Sequence, residues 1–257
     1  QIDFVDIDPE TSNICPLALE SRLTAAEVDG ELPDLVVVVH LGGYSCDMRS
    51  ISKLSKKYNF KIVEDASHAI GGRFFKQYIG KCEYSDITIF SFHPVKIITT
   101  GEGGAALTND RSLAHKMALL RSHGITRRND EMTKTTDGPW YYQQHLLGFN
   151  YRMNDISAAL GVSQLKRLDE FVVERQSIAN RYNQYFRGTN VKTPNKNKNI
   201  LSSFHLYIIK VDEKIRNDLF RRLRETGIFV NLHYIPIYRQ PYYSALGFLP
   251  KNYPEAE

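Results

Sequence analysis

Apolar runs too dense to alternate are separated along this chain by stretches with apolar positions at helical spacing, an order that predicts a mostly parallel sheet covered by helices on both faces. Leu35-Val36-Val37-Val38-Val39 reads as a buried strand, and Asp47 caps a helix over Met48 to Tyr58 on which Ile51, Leu54 and Tyr58 share a face. Further strands are expected at Lys61 to Asp65 and Ile87 to Phe92. A glycine-rich turn, Gly101-Glu102-Gly103-Gly104, then leads to a short strand at Ala105 to Thr108 and a capped helix from Asp110 to Ser122. The polar stretch Arg127 to Gly138 marks a long loop or flap. Two helices follow, Asn154 to Leu168 and Asp169 to Phe186. Beyond a linker at Thr193 to Asn199 come a strand (Phe204 to Val211), a helix (Lys214 to Thr226) and a strand (Ile228 to His233), a second and smaller αβ unit. The class is α/β, divided into 1–168, part of a large domain, and 169–257, a linker helix and part of a small one.

The two ends change this picture. Gln1 is not Met, and Ile2 to Pro9 alternates as a strand with no polar lead-in. Phe248 to Glu257 ends in a loop-like segment. Both ends are those expected of a fragment.

The chain has 257 residues, 42% hydrophobic and 24% charged, which excludes disorder, collagen and coiled coil. Its longest apolar run, Leu35 to Leu41, is far short of the roughly 20 residues that cross a bilayer, so no membrane partner is expected. The net charge of +4 has both signs interspersed, which suits a small anion better than a nucleic-acid backbone. Cys15, Cys46 and Cys82 form no Cys-x-x-Cys pair, and so sparse a set predicts reduced thiols in a cytoplasmic setting.

Two places carry candidate chemistry. Asp65 ends an apolar strand, where ligands of open α/β sheets sit. Its context, Glu64-Asp65-Ala66-Ser67-His68, is compatible with a metal pair, an acid/base pair or an ordinary strand end. The second is Ser91-Phe92-His93-Pro94-Val95-Lys96-Ile97-Ile98-Thr99-Thr100-Gly101-Glu102-Gly103-Gly104, with a lysine among apolar and β-branched residues just past a strand end. Burial lowers an amine's pKa, and a neutral amine is what covalent catalysis by lysine requires; a solvated loop lysine is the competing reading. Arg127 and Arg128 read as a solvated pair, Gly101 to Gly104 as a tight turn, and His93, His115, His123 and His205 as structural or surface histidines.

Taken in order, these blocks and Gly148-Phe149-Asn150-Tyr151-Arg152-Met153-Asn154-Asp155, with Ala158-Ala159-Leu160-Gly161 and Gln164-Leu165, resemble the DegT/StrS family of sugar-nucleotide aminotransferases. The similarity runs from Asp6 to Tyr243. It implies a fold type I architecture like that of aspartate aminotransferase, pyridoxal 5′-phosphate (PLP) as cofactor, and no metal. It also implies that an N-terminal segment supplying phosphate donors and a ring-stacking aromatic precedes the chain. Lys96 matches the lysine that carries PLP covalently and shuttles a proton. Asp65 matches the carboxylate that pairs with the pyridine nitrogen. His68 matches the position touching the ring hydroxyl, Ser91 a phosphate-contacting hydroxyl, and Asn150 the asparagine that reaches a neighbouring subunit's phosphate, which implies a homodimer with shared active sites.

Arg152, His233 and Tyr234 are the expected substrate contacts, since a sugar nucleotide offers a diphosphate to cationic and hydroxyl groups. Tyr238 stands where relatives often carry His. Within the family, Arg121 to Arg127, Gly138 to Tyr142 and Gln164 to Asp169 look most like the branch that aminates C4 of a UDP-linked 4-keto-6-deoxy-N-acetylhexosamine in pseudaminic acid biosynthesis. The partners implied are a UDP-sugar and an amino-acid donor such as glutamate. A PLP-type sugar dehydratase, which carries His in place of the lysine, and a non-catalytic assembly or regulatory relative are the competing readings.

Overall fold

The computed structural model describes residues 2–257, so Gln1 lies outside the described residues. In chain order the elements are α1 (Pro16–Asp29), β1 (Leu35–Val39), α2 (Met48–Tyr58), β2 (Lys61–Asp65), β3 (Arg73–Phe74), β4 (Gln77–Tyr78), β5 (Ile87–Ser91), β6 (Gly104–Leu107) and α3 (Arg111–Arg121). There follow β7 (Ile125–Thr126), β8 (Gln143–Gln144), α4 (Asp155–Leu165), α5 (Leu168–Tyr185), β9 (Ile200–Leu201), α6 (Glu213–Glu225) and α7 (Pro241–Ser244). The predicted caps are in place: Asp47 accepts from Ser50 N–H, and Asp110 from Ser112 and Leu113 N–H, each satisfying helical donors that have no partner within the helix.

The main sheet runs in the order β1-β2-β5-β6, parallel except for β6, which pairs antiparallel with β5. Val39 lies opposite Asp65 and Asp65 opposite Ile89, so β1 and β2 end level with one another while β5 runs two residues further, to Ser91. One face of this sheet packs on α1 and α2, burying Leu19, Leu23, Val38, Met48, Ile51, Leu54, Tyr58 and Ile62. The expectation of a wholly buried strand at Leu35 to Val39 is corrected. Val38 is fully buried, but Leu35, Val37 and Val39 are about half exposed, because alternate side chains point to opposite faces and only one face is covered here.

Three predicted strands are absent. Ile2 to Pro9 makes only a bridge between Ile7 and Ile14, and the Asp3 and Asp6 carboxylates accept the Phe4 and Ile7 N–H groups that a ladder could have used. Phe204 to Val211 pairs through one bridge, Lys192 with Lys210; other main-chain groups there bond Ser202 and Gly42 instead. Ile228 to His233 folds back on α6, with Ile228 N–H on Leu223 and the Val230 carbonyl on Arg224. The carboxyl-terminal part joins the large unit through β9, which pairs with β3.

Candidate active site

The lysine loop is shaped by its own backbone. It leaves β5 and returns in β6, closed at its base by Phe92 N–H on Gly103 O (2.8 Å) and Thr100 N–H on Phe92 O (3.0 Å). The Thr99 hydroxyl adds a bond to Phe92 O, at 2.8 Å. Ile97, Ile98 and Thr100 are buried, so the residues after Lys96 anchor the loop and hold Lys96 half-buried at the carboxyl edge of the sheet. Burial pulls the Lys96 ammonium below its ordinary range, and the nearby Asp65 carboxylate opposes that pull. The solvated-loop reading of Lys96 is not the one the fold adopts.

Asp65 ends β2, with Oδ1 accepting Ser67 N–H at 3.0 Å. His68 is buried just beyond it. Gly42 N–H donates to His68 Nδ1 (3.2 Å), so in the neutral ring the proton sits on Nε2, which is left as a donor. Burial draws His68 down to about 4, with Lys96 and His233 adding to the effect and Asp65 opposing it. Among the described residues no group of three or more His, Cys, Asp or Glu side chains is placed to hold a metal ion.

The approach of Gly42 and Gly43 to His68 depends on glycine. Gly43 has φ +96°, and a Cβ there would sit 2.6 Å from Ser203 Oγ and 2.8 Å from the His68 carbonyl. Through this gap the segment after β9 docks: Ser203 N–H bonds Gly43 O, its hydroxyl bonds His68 O (3.0 Å), and Leu206 N–H bonds Gly42 O. Arg175 of α5 holds the Phe204 and His205 carbonyls at 2.9 and 3.3 Å, and Gln176 holds that of Ser202.

The docked segment brings in a residue that sequence reasoning set aside. His205 lies against His68 with ring centroids 4.4 Å apart. Burial, together with His68, Lys96, Arg175 and His233, takes it down to about 3. Its Nδ1 is buried without a hydrogen-bond partner. No local pattern marks His205; it is brought in beside the Ser203–His68 bond, whose residues are 135 apart.

His233 is half-buried and acts electrostatically on both His68 and His205. The Tyr234 hydroxyl is pushed up by burial and by Asp65. Lys96, Asp65, His68, His233 and Tyr234 are thus close enough for their charges to act on one another. Ser91 closes β5 on the same edge, its hydroxyl accepting His93 N–H at 3.4 Å. Asn150 and Arg152 are exposed, and among the described residues no hydrogen bond or ion pair links them to Lys96. Asn150 is bridged to Ser122 after α3.

Residues 2–257 match the DegT/DnrJ/EryC1/StrS aminotransferase family. The chain belongs to that family. It is 38% identical over 255 residues to the UDP-4-amino-4,6-dideoxy-N-acetyl-beta-L-altrosamine transaminase of Campylobacter jejuni, covering 96% of this chain and 62% of the relative. A Methanocaldococcus jannaschii protein is 36% identical, covering 99% of this chain and 65% of its own length. Among solved structures, Helicobacter pylori PseC, an aminotransferase of pseudaminic acid biosynthesis, superposes with a TM-score of 0.87 at 32% identity, over 99% of this chain and 65% of that one. Spr1654 of Streptococcus pneumoniae, assigned as a sugar aminotransferase, superposes in its PLP form with a TM-score of 0.83 at 30% identity, over 98% of this chain and 66% of that one. The chain thus spans 65% and 62% of the length of these two curated relatives.

These likenesses bear out the α/β, fold type I reading. Enzymes of the DegT/StrS family use PLP. The residues present fit that group: an amine of lowered basicity, a carboxylate beside it, and a neutral imidazole with one N–H left to donate. No helix among the described residues is long and apolar enough to cross a membrane.

Proposed function

We propose that this protein is a PLP-dependent aminotransferase that moves an amino group from an amino acid, such as glutamate, to the C4 keto group of a UDP-linked 4-keto-6-deoxy sugar, in nucleotide-sugar and surface polysaccharide biosynthesis. The observation that carries the reading is the half-buried Lys96 amine, held below its ordinary pKa beside Asp65 and His68 at the carboxyl edge of the sheet. The name of the Campylobacter relative favours a UDP-linked 4-amino-4,6-dideoxy sugar, and that of the Helicobacter structure the pseudaminic acid branch.

PLP, when bound, supplies a carbonyl that takes up the amino group and a ring that accepts electrons. Lys96 would hold the cofactor through its side-chain amine and would serve as the base that moves a proton at the substrate carbon. Asp65 would hold the proton on the ring nitrogen, and His68, with Nε2 left as a donor, would donate to the ring oxygen. Ser91 contributes to the phosphate seat. Arg152, His233 and Tyr234 are the groups proposed for the sugar nucleotide.

The active form proposed is a cytoplasmic homodimer in which Asn150 reaches the partner's cofactor phosphate. Support comes from the exposed apolar positions flanking it: Leu147 is 91% exposed and Ile156 86%, with Phe149 and Tyr151 stacked between them. The division into a large domain over 1–168 and a linker helix with a small domain over 169–257 is part of the same proposal. Retention of lysine at 96 disfavours the dehydratase reading, and its depressed basicity disfavours the non-catalytic one.

The test is borohydride reduction after reconstitution with PLP. The visible absorbance should vanish and a reduced adduct should appear on the peptide holding Lys96; an adduct on any other lysine overturns the assignment.

A further inference from the structure

Beneath the strand ends, two ionisable side chains are buried that the chemistry above does not use. His40, just after β1, is fully buried, and Glu64, the penultimate residue of β2, is 5% exposed. His40 Nε2 lies 2.7 Å from Glu64 Oε2. Cys46 N–H donates to His40 Nδ1 at 3.1 Å, which places the ring proton on Nε2, where it is donated to the carboxylate. The second Glu64 oxygen accepts from the hydroxyls of Thr88 (3.0 Å) and Ser85. Burial pushes the Glu64 carboxyl up, but the bonds from His40, Ser85 and Thr88 outweigh it and keep the group ionised. One carboxylate thus ties together the residue after β1, the strand β2 and the start of β5.

Burying such a group is expensive, and an apolar pair of equal volume commonly gives a fold as stable or more so. What this pair supplies is direction. Glu64 and Asp65 point to opposite faces of the strand, so fixing Glu64 fixes the rotation of the strand end from which Asp65 projects. His40 also holds Asp65 directly: its main-chain N–H donates to the Asp65 carbonyl at 3.1 Å. On the other side Ala66 N–H bonds Ile89 O at 2.8 Å. The residue proposed to face the ring nitrogen is therefore gripped before, at and after its own Cα.

We infer that His40, acting through Glu64 and the Asp65 main chain, is a positioning residue that aims the Asp65 carboxylate at the cofactor's ring nitrogen. The inference rests on the PLP reading, and its experiment separates the two.

The experiment compares wild type, His40→Asn, His40→Gln and Asp65→Asn, each reconstituted with PLP labelled with ¹⁵N in the ring, whose chemical shift reports protonation of that nitrogen. Asn is too short to reach Glu64; Gln keeps an N–H donor at about the reach of the imidazole Nε2. His40→Asn should move the shift toward the unprotonated ring, as Asp65→Asn does. It should also slow the half-reaction with the amino donor about 10- to 100-fold while PLP affinity stays within about threefold. His40→Gln should recover part of both. The double variant His40→Asn/Asp65→Asn should be no slower than Asp65→Asn alone, since both act through one group.

A wild-type ¹⁵N shift in folded His40→Asn, or a double variant slowed by the product of the single effects, overturns the positioning role. Absence of any reducible adduct on Lys96 in the wild type would instead defeat the PLP reading itself.

Discussion

The imidazole of His205 lies over that of His68, ring centroids 4.4 Å apart and planes inclined by 37°. Both rings are held well below the ordinary histidine range, at about 4 for His68 and about 3 for His205, with burial as the largest cause in each. At neutral pH the pair is uncharged, and the charged or ionisable groups acting on it are Lys96, Asp65, His233 and Arg175.

The pair makes stability pH-dependent in a defined direction. A histidine whose folded pKa lies below its unfolded value binds its proton more readily in the unfolded chain, so stability is complete above about pH 6.5 and is lost as pH falls toward 4 and then 3. Replacing His205 with Phe keeps an aromatic ring and removes one titrating group. Urea melts from pH 7 to pH 4 should show a smaller loss for His205→Phe than for the wild type; parallel losses would mean that His205 titrates normally.

Asp65→Asn preserves size and removes the charge proposed to hold the ring proton. Because that interaction matters most as negative charge flows into the ring, the amino-donor half-reaction should slow by about 2–4 kcal/mol of barrier while cofactor binding survives. Stopped-flow measurement of the cofactor absorbance gives the rate. Near-normal turnover would remove Asp65 from the catalytic set.

Gly43→Ala tests how the carboxyl-terminal segment is seated. At φ +96°, with Ser203 Oγ and the His68 carbonyl inside 3 Å of the added methyl, the substitution combines backbone strain and a clash, on the order of 2–4 kcal/mol. Denaturant titration should show that loss. An unchanged midpoint would mean that the 202–206 segment does not press on Gly43 in solution.

The proposed shared active sites predict complementation. If Asn150 reaches the partner's cofactor phosphate, Lys96→Ala and Asn150→Ala damage opposite halves of each composite site, and mixing the two inactive proteins should restore one intact site per hybrid dimer. Random exchange makes roughly half the dimers hybrid, which bounds the recovery. No recovery despite proven subunit exchange would place both residues in one chain's site.

The elements legible from sequence are those whose signal is local. The helices Met48–Tyr58, Arg111–Arg121, Asp155–Leu165, Leu168–Tyr185 and Glu213–Glu225 fall within a residue or a few of their expected bounds, because a helix satisfies its own backbone and shows its buried face as a period. The strands Leu35–Val39, Lys61–Asp65 and Ile87–Ser91 were legible for a related reason: their apolar runs sit between strong turn and cap residues. Asp65, His68 and Lys96 come from the ends of those strands, so a sequence block carries them.

Tertiary structure decided what depends on a distant partner. Ile2 to Pro9, Phe204 to Val211 and Ile228 to His233 have the composition of strands but no ladder to join, since a strand's hydrogen bonds are made by its neighbour and not by itself. The packing of His205 against His68 and the burial of Glu64 under His40 are contacts between segments apart in sequence, set by the close approach at Gly42 and Gly43 and by the parallel pairing of β1, β2 and β5. Residue types and spacing determined which groups this protein has for its chemistry; only the packing of the chain determined which of them are dry, neutral and aimed at one another.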